Sequence, residues 1–174
     1  MSKDISLEED LMESIRHKDV KSIKGIIELG ANVNFEEKRN WSWTPIMLAS
    51  AEGLRGAAIW LLEKGADINF ADDNGWTPLM TVTRWNHIEM VKLYLEKERN
   101  TNMDAQDDAE QMTALMIASK WGYIEIVQLL IDAGANIYTT DEDGWTALTY
   151  AIGYNNIEIE KLLKQAMEAQ NDRT

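Results

Sequence analysis

DDNGWTPL, residues 72–79, joins an acidic tight turn to the start of an α-helix. Asp-Asn-Gly favours a tight turn. Thr77 followed by Pro78 is typical of a helix start, because threonine caps free N–H groups and proline at the first helical position loses no hydrogen bond. Similar phrases, TPIMLAS, TALMIAS and TALTYAI, begin at Thr44, Thr113 and Thr146. Spacings of 33, 36 and 33 residues between the four threonines indicate an internal repeat.

A second recurring phrase indicates two helices in each unit. Gly-Ala-Asn or Gly-Ala-Asp stands at 30–32, 65–67 and 134–136. In the segment 124–134, IEIVQLLIDAG, apolar residues recur at helical spacing before the glycine, which is a common helix end. Each unit is therefore predicted to hold a short first helix, a second helix and a tight turn.

These linked phrases resemble the ankyrin-repeat family, whose motif runs D-x-x-G-x-T-P-L, then a helix pair, then L-L-x-x-G-A-D-x-N. The matching segments are DDNGWTPL at 72–79, WLLEKGADIN at 60–69 and IEIVQLLIDAGANI at 124–137. The resemblance spans about residues 5 to 168. It implies an all-α solenoid of paired antiparallel helices, joined by β-hairpin-like turns that we call fingers. We expect one domain, 1–174, with five units and atypical terminal caps, at about 5–36, 37–71, 72–106, 107–140 and 141–170.

Two kinds of departure from the repeat are informative. Glu160 and Lys164 stand where the fourth unit has Val127 and Ile131, which predicts a polar end face suited to a terminal repeat. The turn at 36–43 is two residues longer than its counterpart, and the stretch at 98–112 is three residues longer and lacks Gly-Ala-Asp. Such insertions go to loops, often on the binding face. Neutral drift in a tolerant surface loop is the alternative.

Composition excludes several classes of function. The 174 residues carry 17 basic and 30 acidic side chains, a formal charge of −13, which opposes binding to nucleic acid or to an anionic membrane. There is no cysteine and only two histidines, so disulfides and Cys-ligated metals are excluded. Nucleotide-binding and hydrolase motifs are missing, so we expect neither enzyme activity nor a cofactor. With no secretory signal and no apolar run long enough for a bilayer, we expect a cytoplasmic protein.

Aromatic residues recur at fixed offsets from the repeated threonines. Directly before them stand Trp43, Trp76, Met112 and Trp145, and eight residues after them stand Glu52, Trp85, Trp121 and Tyr154. Trp41 lies in the longer turn. The ankyrin resemblance implies that both sets line a concave groove, where Trp and Tyr would serve as interface anchors. The alternative is that the rings pack between neighbouring units.

Charged residues accompany both aromatic sets. Acids occur in or beside the fingers at Asp72, Asp73, Asp108, Glu110, Asp141, Glu142 and Asp143. They suit a cationic, partly apolar partner, although capping of the turns accounts for any single acid more readily. Arg84 and Lys120 precede Trp85 and Trp121, and for each we favour pairing with turn acids over pairing with a partner carboxylate. The resemblance implies that His87 is structural and bonds between neighbouring turns.

Taken together, these features predict a non-enzymatic protein–protein interaction module with an aromatic, acidic groove. We expect a monomer that binds a protein or peptide, with a basic partner suited to the charge. The alternatives are a structural spacer, whose aromatic rings would be buried, and an acidic inhibitor or immunity-type protein for a basic partner. The predicted partner-binding residues are Trp41, Trp43, Trp76, Arg84, Trp85, Met112, Lys120, Trp121, Asp143, Trp145 and Tyr154.

Overall fold

The computed structural model describes residues 6–39, 41–97 and 101–171, which form ten α-helices. The all-α class is confirmed, and each helix pair lies within one predicted unit, except that the last helix runs one residue further. The helices are α1 Leu7–Arg16, α2 Val20–Glu28, α3 Pro45–Ala51, α4 Arg55–Glu63, α5 Pro78–Arg84, α6 Ile88–Lys97, α7 Ala114–Trp121, α8 Ile124–Ala133, α9 Ala147–Gly153 and α10 Ile157–Asn171.

Three of the four repeated threonines cap their helices with a side-chain hydrogen bond, and Thr44 makes none. The side chains of Thr77, Thr113 and Thr146 each accept a hydrogen bond from the backbone N–H three residues later. Between the two helices of each unit the chain turns through one residue in the left-handed region, with φ between 56° and 78°. Those residues stand at equivalent repeat positions: Lys18, Gly53, Asn86, Gly122 and Asn155.

The units stack through two layers of helices. The first helices α1, α3, α5, α7 and α9 pack in succession, and the second helices α2, α4, α6, α8 and α10 form a parallel series behind them. Apolar side chains from both layers form one continuous core, with Ile15, Leu61, Val91 and Leu130 fully buried. Each unit therefore depends on its neighbours for part of its core.

The fingers are β-hairpin-like, as predicted. In each, a backbone N–H on the first side donates to a carbonyl on the second, for example from Asp72 to Trp76 over 2.9 Å and from Asp141 to Trp145 over 3.0 Å. Further backbone bonds join one finger to the next, including one from the N–H of Asp108 to the carbonyl of Asn74 over 2.9 Å. These bonds hold the fingers in a row.

Both longer turns take part in this row. In the turn at 36–43, Trp41 and Ser42 have left-handed φ values of 57° and 58°, and the Trp41 carbonyl accepts from the N–H of Asp73 over 3.1 Å. In the stretch at 98–112, residues 98–100 lie outside the described residues. Later in that stretch, Gln106 Nε2 donates to the carbonyl of Thr140 over 2.9 Å.

The last unit ends in a polar helix face, as predicted. Lys164 Nζ lies 2.6 Å from Glu160 Oε1, one helical turn away on α10. These two side chains stand where Val127 is buried in the fourth unit and Ile131 is partly buried. The ion pair is surface-exposed and contributes little stability, but it replaces apolar surface that would otherwise face water.

Candidate functional site

Three large aromatic side chains are exposed at the ends of successive first helices. We call Glu52, Trp85, Trp121 and Tyr154 the helix-end row, because each stands at the C-terminal end of α3, α5, α7 or α9. The exposed fractions are 59% for Trp85, 49% for Trp121 and 52% for Tyr154. Backbone bonds such as that from the Trp85 N–H to the Thr81 carbonyl, 3.2 Å, fix where each side chain leaves its helix.

Basic side chains from the preceding unit contact several members of the helix-end row. Arg84 Cζ lies 4.2 Å from the centroid of the Trp121 ring, a cation–π geometry. Lys120 Nζ lies 5.4 Å from the Tyr150 ring and 6.0 Å from the Tyr154 ring.

At the other end of the row, Lys18 Nζ makes an ion pair with Glu52 Oε2 over 3.0 Å. Lys120 pairs with a turn acid, as we favoured from the sequence, because its Nζ lies 3.4 Å from Glu110 Oε2. Within the described residues Arg84 has no carboxylate at ion-pair distance, so its neighbour is the Trp121 ring and not a turn acid.

The residues that precede the repeated threonines are mostly packed against the protein. Trp43 and Trp76 are partly buried against the core, and Trp43 Nε1 donates to Asp72 Oδ2 over 3.0 Å. Met112 is 6% exposed, because its apolar side chain lies in the core, and it does not line an accessible surface. Trp145 is 41% exposed and meets the Tyr150 ring edge-on at 5.3 Å. This row therefore offers one exposed ring.

Trp41, in the longer second finger, is the most exposed tryptophan of the predicted site. Its side chain is 60% exposed, while its backbone is held by the bond to Asp73 described above. The longer finger thus presents an exposed ring in the row of fingers. Trp41 is not a member of the helix-end row.

The turn acids divide into buried and exposed groups. Asp72 and Asp141 are buried, and Oδ1 of each accepts two backbone N–H groups of its own finger, as capping residues do. Asp73, Asp108, Glu142 and Asp143 are exposed and make no ion pair among the described residues. The second group leaves negative charge along the finger tips.

Tyr150 links the last finger to the aromatic cluster and was not singled out from the sequence. Its hydroxyl donates to Asp141 Oδ2 over 2.6 Å, and its ring stacks on Tyr154 at 6.3 Å. Burial raises the pKa of Tyr150, and the hydrogen bond to Asp141 adds to that shift, so the hydroxyl stays protonated as a donor. The available signal was an aromatic residue in TALTYAI at the position where the other units have Leu48, Thr81 and Ile117.

His87 has the structural role that the resemblance implied. Its Nε2 lies 3.0 Å from the carbonyl oxygen of Ala51, so this nitrogen carries the proton and donates. A Cβ at Gly53 would approach His87 Cε1 to 2.8 Å, which shows how closely the two turns meet. In the last unit Asn156 makes a similar contact, with Nδ2 donating to the carbonyl of Ser119 over 2.7 Å and to that of Lys120, the counterpart of Ala51, over 3.3 Å.

Over residues 6–39, 41–97 and 101–171, no three acidic or histidine side chains come together as a metal site would require. The helices in that part of the chain are too short or too polar to cross a bilayer.

Comparison with known proteins identifies the repeats. The family described as ankyrin repeats (3 copies) matches residues 11–107, 46–141 and 95–174. The chain is 36% identical over 93 residues to 26S proteasome non-ATPase regulatory subunit 10 of Dictyostelium discoideum, covering 51% of the chain and 38% of that protein. It is 29% identical over 154 residues to mitochondrial disaggregase of Bos taurus, covering 88% and 22%.

A third similar protein is glycerophosphocholine phosphodiesterase gde1 of Schizosaccharomyces pombe, with 37% identity over 76 residues. That match covers 44% of the chain and 7% of the relative. The chain thus spans less than two-fifths of the length of each of these three relatives. The family matches overlap and together extend from residue 11 to residue 174. The chain belongs to the ankyrin-repeat family.

Proposed function

We propose that this protein is a non-enzymatic binding module whose partner, a protein or a peptide, lies along the helix-end row. Ankyrin repeats are in general protein–protein interaction modules, and repeat stacks of this kind use extended concave surfaces for binding. The observation that carries the proposal is the exposure of Trp85, Trp121 and Tyr154 at one repeat position in three successive units.

Exposure of these rings is costly unless something covers them. A tryptophan or tyrosine side chain offers about 150–250 Å² of surface for burial, and exposed apolar patches commonly mark partner sites. Trp43 and Trp76 show that this chain can pack tryptophans against its own core. A spacer would need no row of uncovered rings, so the exposed row favours binding over the spacer alternative.

The exposed finger acids give the proposed surface a preferred partner charge. Asp73, Asp108, Glu142 and Asp143 stand without ion pairs among the described residues. Together with the net charge of −13, they favour association with a partner that is basic on the side facing the fingers. Such rim charges affect the association rate and the choice of partner more than the affinity.

The test is a quantitative pull-down from the lysate of the native organism, with wild type against Trp85→Ala/Trp121→Ala. A matched control, Leu29→Ala/Tyr138→Ala, removes two other exposed apolar side chains, 73% and 45% exposed, that lie outside the row. Circular dichroism verifies that both double variants fold. We expect the control to retain the captured partner and the row variant to lose it.

Equal capture by the folded row variant and by wild type would refute the helix-end row as the interface. Loss of folding in that variant would instead show that Trp85 and Trp121 hold the stack together. We also propose that the chain acts as a monomer, and light scattering coupled to size-exclusion chromatography tests that point. A concentration-independent mass of about 20 kDa is the expected result, since the chain has a mass of 19.9 kDa.

A further inference from the structure

Two of the three rings in the helix-end row have a basic side chain from the preceding unit close by: Trp121 has Arg84, and Tyr154 has Lys120. Glu52 is paired with Lys18 of the first unit, which stands at a different repeat position from Arg84 and Lys120. Within the described residues, no lysine or arginine lies over the Trp85 ring in the same way.

One repeat position explains why the Trp85 ring has no basic side chain over it. The residues that precede the helix-end row by one place are Ala51, Arg84 and Lys120 in the second, third and fourth units. Arg84 and Lys120 reach forward to the ring of the following unit. The Ala51 side chain is too short to reach Trp85, so the second unit places no cation over the Trp85 ring. Trp85 is also the most exposed of the three rings, at 59%.

We propose that the partner supplies this missing cation, and that a lysine or arginine side chain of the partner binds over the Trp85 ring. The inference rests on the proposed function and specifies the chemistry of one position on that surface. Tryptophan is the strongest aromatic partner for a cation, because its ring face carries the most negative quadrupole. Trp121 and Tyr154 already use a ring face for cations of this chain, which leaves Trp85 for a cation from outside.

The surrounding charges are compatible with a cation at this position. The nearest basic group in sequence, Arg84, is directed to the Trp121 ring in the next unit. Neighbouring helices are about 8–10 Å apart, which is close to one Debye length at physiological ionic strength, so salt weakens the repulsion from Arg84. On the other side Lys18 is neutralised by Glu52. The exposed finger acids and the net charge of −13 add a long-range attraction.

The experiment starts from a random peptide library displayed on phage and selected on the full chain. Selected peptides that bind the wild-type chain but not Trp85→Ala/Trp121→Ala are taken to bind at the helix-end row, and one of them is synthesised as the probe. We expect these peptides to share a lysine or arginine at a common position. Replacing that residue by norleucine, which keeps the hydrocarbon and removes the charge, should weaken binding roughly five- to thirty-fold, as about 1–2 kcal/mol implies.

Variants of the protein then locate the cation. Ala51→Arg supplies a cation in the second unit, as Arg84 does in the third, and should weaken the probe by a similar factor. Ala51→Gln adds a long neutral side chain at the same helix end and should change affinity less than about three-fold. Trp85→Leu keeps apolar surface and removes the ring. Its loss and the norleucine loss should not add, because both remove the same contact.

Each contrary result is distinct. Three results would each overturn the cation inference and leave the proposed function standing. The first is that peptides bound at the helix-end row share no basic residue, and the second is that Ala51→Arg and Ala51→Gln have equal effects on affinity. The third is that the affinity losses for Trp85→Leu and norleucine add. If no selected peptide depends on Trp85 and Trp121, the proposed function fails, and the inference that rests on it fails too.

Discussion

Replacement of Ser50 by alanine should destabilise the protein more than replacement of its hydrogen-bond partner Tyr94 by phenylalanine. Both side chains are fully buried, and Ser50 Oγ lies 2.6 Å from Tyr94 Oη, a contact that joins α3 of the second unit to α6 of the third. Ser50 also donates to the carbonyl of Ile46 over 2.7 Å. Because that bond uses its single proton, Tyr94 must be the donor to Ser50. Burial raises the pKa of Tyr94, so the donor stays protonated.

The two substitutions leave different groups behind. Tyr94→Phe removes one hydrogen bond and leaves Ser50 bonded to Ile46, which should cost about 0.5–1.5 kcal/mol of unfolding free energy. Ser50→Ala leaves the phenolic hydroxyl of Tyr94 buried with no acceptor, which should cost about 1–3 kcal/mol. The double variant has no stranded hydroxyl, so its cost should be close to that of Tyr94→Phe alone and well below the sum.

Urea unfolding followed by far-UV circular dichroism measures all three variants against wild type. The chain offers a matched control in Ser119, which stands at the same repeat position and is fully buried, but whose Oγ has no partner among the described residues. Ser119→Ala should be neutral or slightly stabilising. Tyr94 is not the donor to Ser50 in this way if Ser50→Ala costs no more unfolding free energy than Ser119→Ala, or if the costs of Ser50→Ala and Tyr94→Phe add in the double variant.

Three other predictions concern stability. Thr77→Ala should cost about 1 kcal/mol in urea unfolding and Thr44→Ala less, because the Thr77 side chain caps its helix and the buried Thr44 hydroxyl makes no cap bond; equal losses would argue against this. His87→Ala should cost about 1–2 kcal/mol, since it leaves the Ala51 carbonyl without its donor, and a loss below about 0.5 kcal/mol would contradict that role.

The third prediction concerns pH. A hydrogen bond from the Asn32 N–H lowers the pKa of Glu8, so its contribution is complete above pH 4.5, the ordinary value, and is lost as pH falls through the lowered folded-state pKa. The difference in unfolding free energy between wild type and Glu8→Gln should therefore be larger at pH 7 than at about pH 3, and a constant difference would count against this bond.

Local sequence features were sufficient to predict the helices and their order. Thr77-Pro78 and Gly134 act on the residues directly around them, so their consequences can be read without knowing the fold. The polar end at Glu160 and Lys164 was visible for a similar reason, since one unit could be compared with the next. The His87 contact came from the family resemblance, because it joins turns that are 36 residues apart.

The direction of individual rings was harder to predict. Trp43 and Trp145 occupy the same repeat position, yet the first is partly buried and bonded to Asp72, and the second is 41% exposed. The difference arises because Trp43 has a following unit that supplies an acceptor, while Trp145 lies in the last unit. Which way Met112 turns depends likewise on the shape of the core and not on its local sequence.

The local sequence also does not predict the placement of Arg84 over Trp121. The two residues are far apart in the chain, and they meet only because successive units stack in register. In the sequence Arg84 stands next to Trp85, and from the sequence alone we favour its pairing with turn acids over pairing with a partner carboxylate. The stacked geometry gives the guanidinium to the next ring, and thereby distinguishes Trp85 from the other members of the helix-end row.

Because the helices pack mainly within their own unit and against adjacent units, the order in which the protein loses structure should follow position along the stack. Among the described residues the first and last units each pack against one other unit, so amide hydrogens in α1 and α10 should exchange through fraying at low free-energy cost. The third unit has two units on each side, and its amides should exchange last. Trp85 belongs to that unit, so the ring assigned to the partner's cation keeps its framework while both ends open and close.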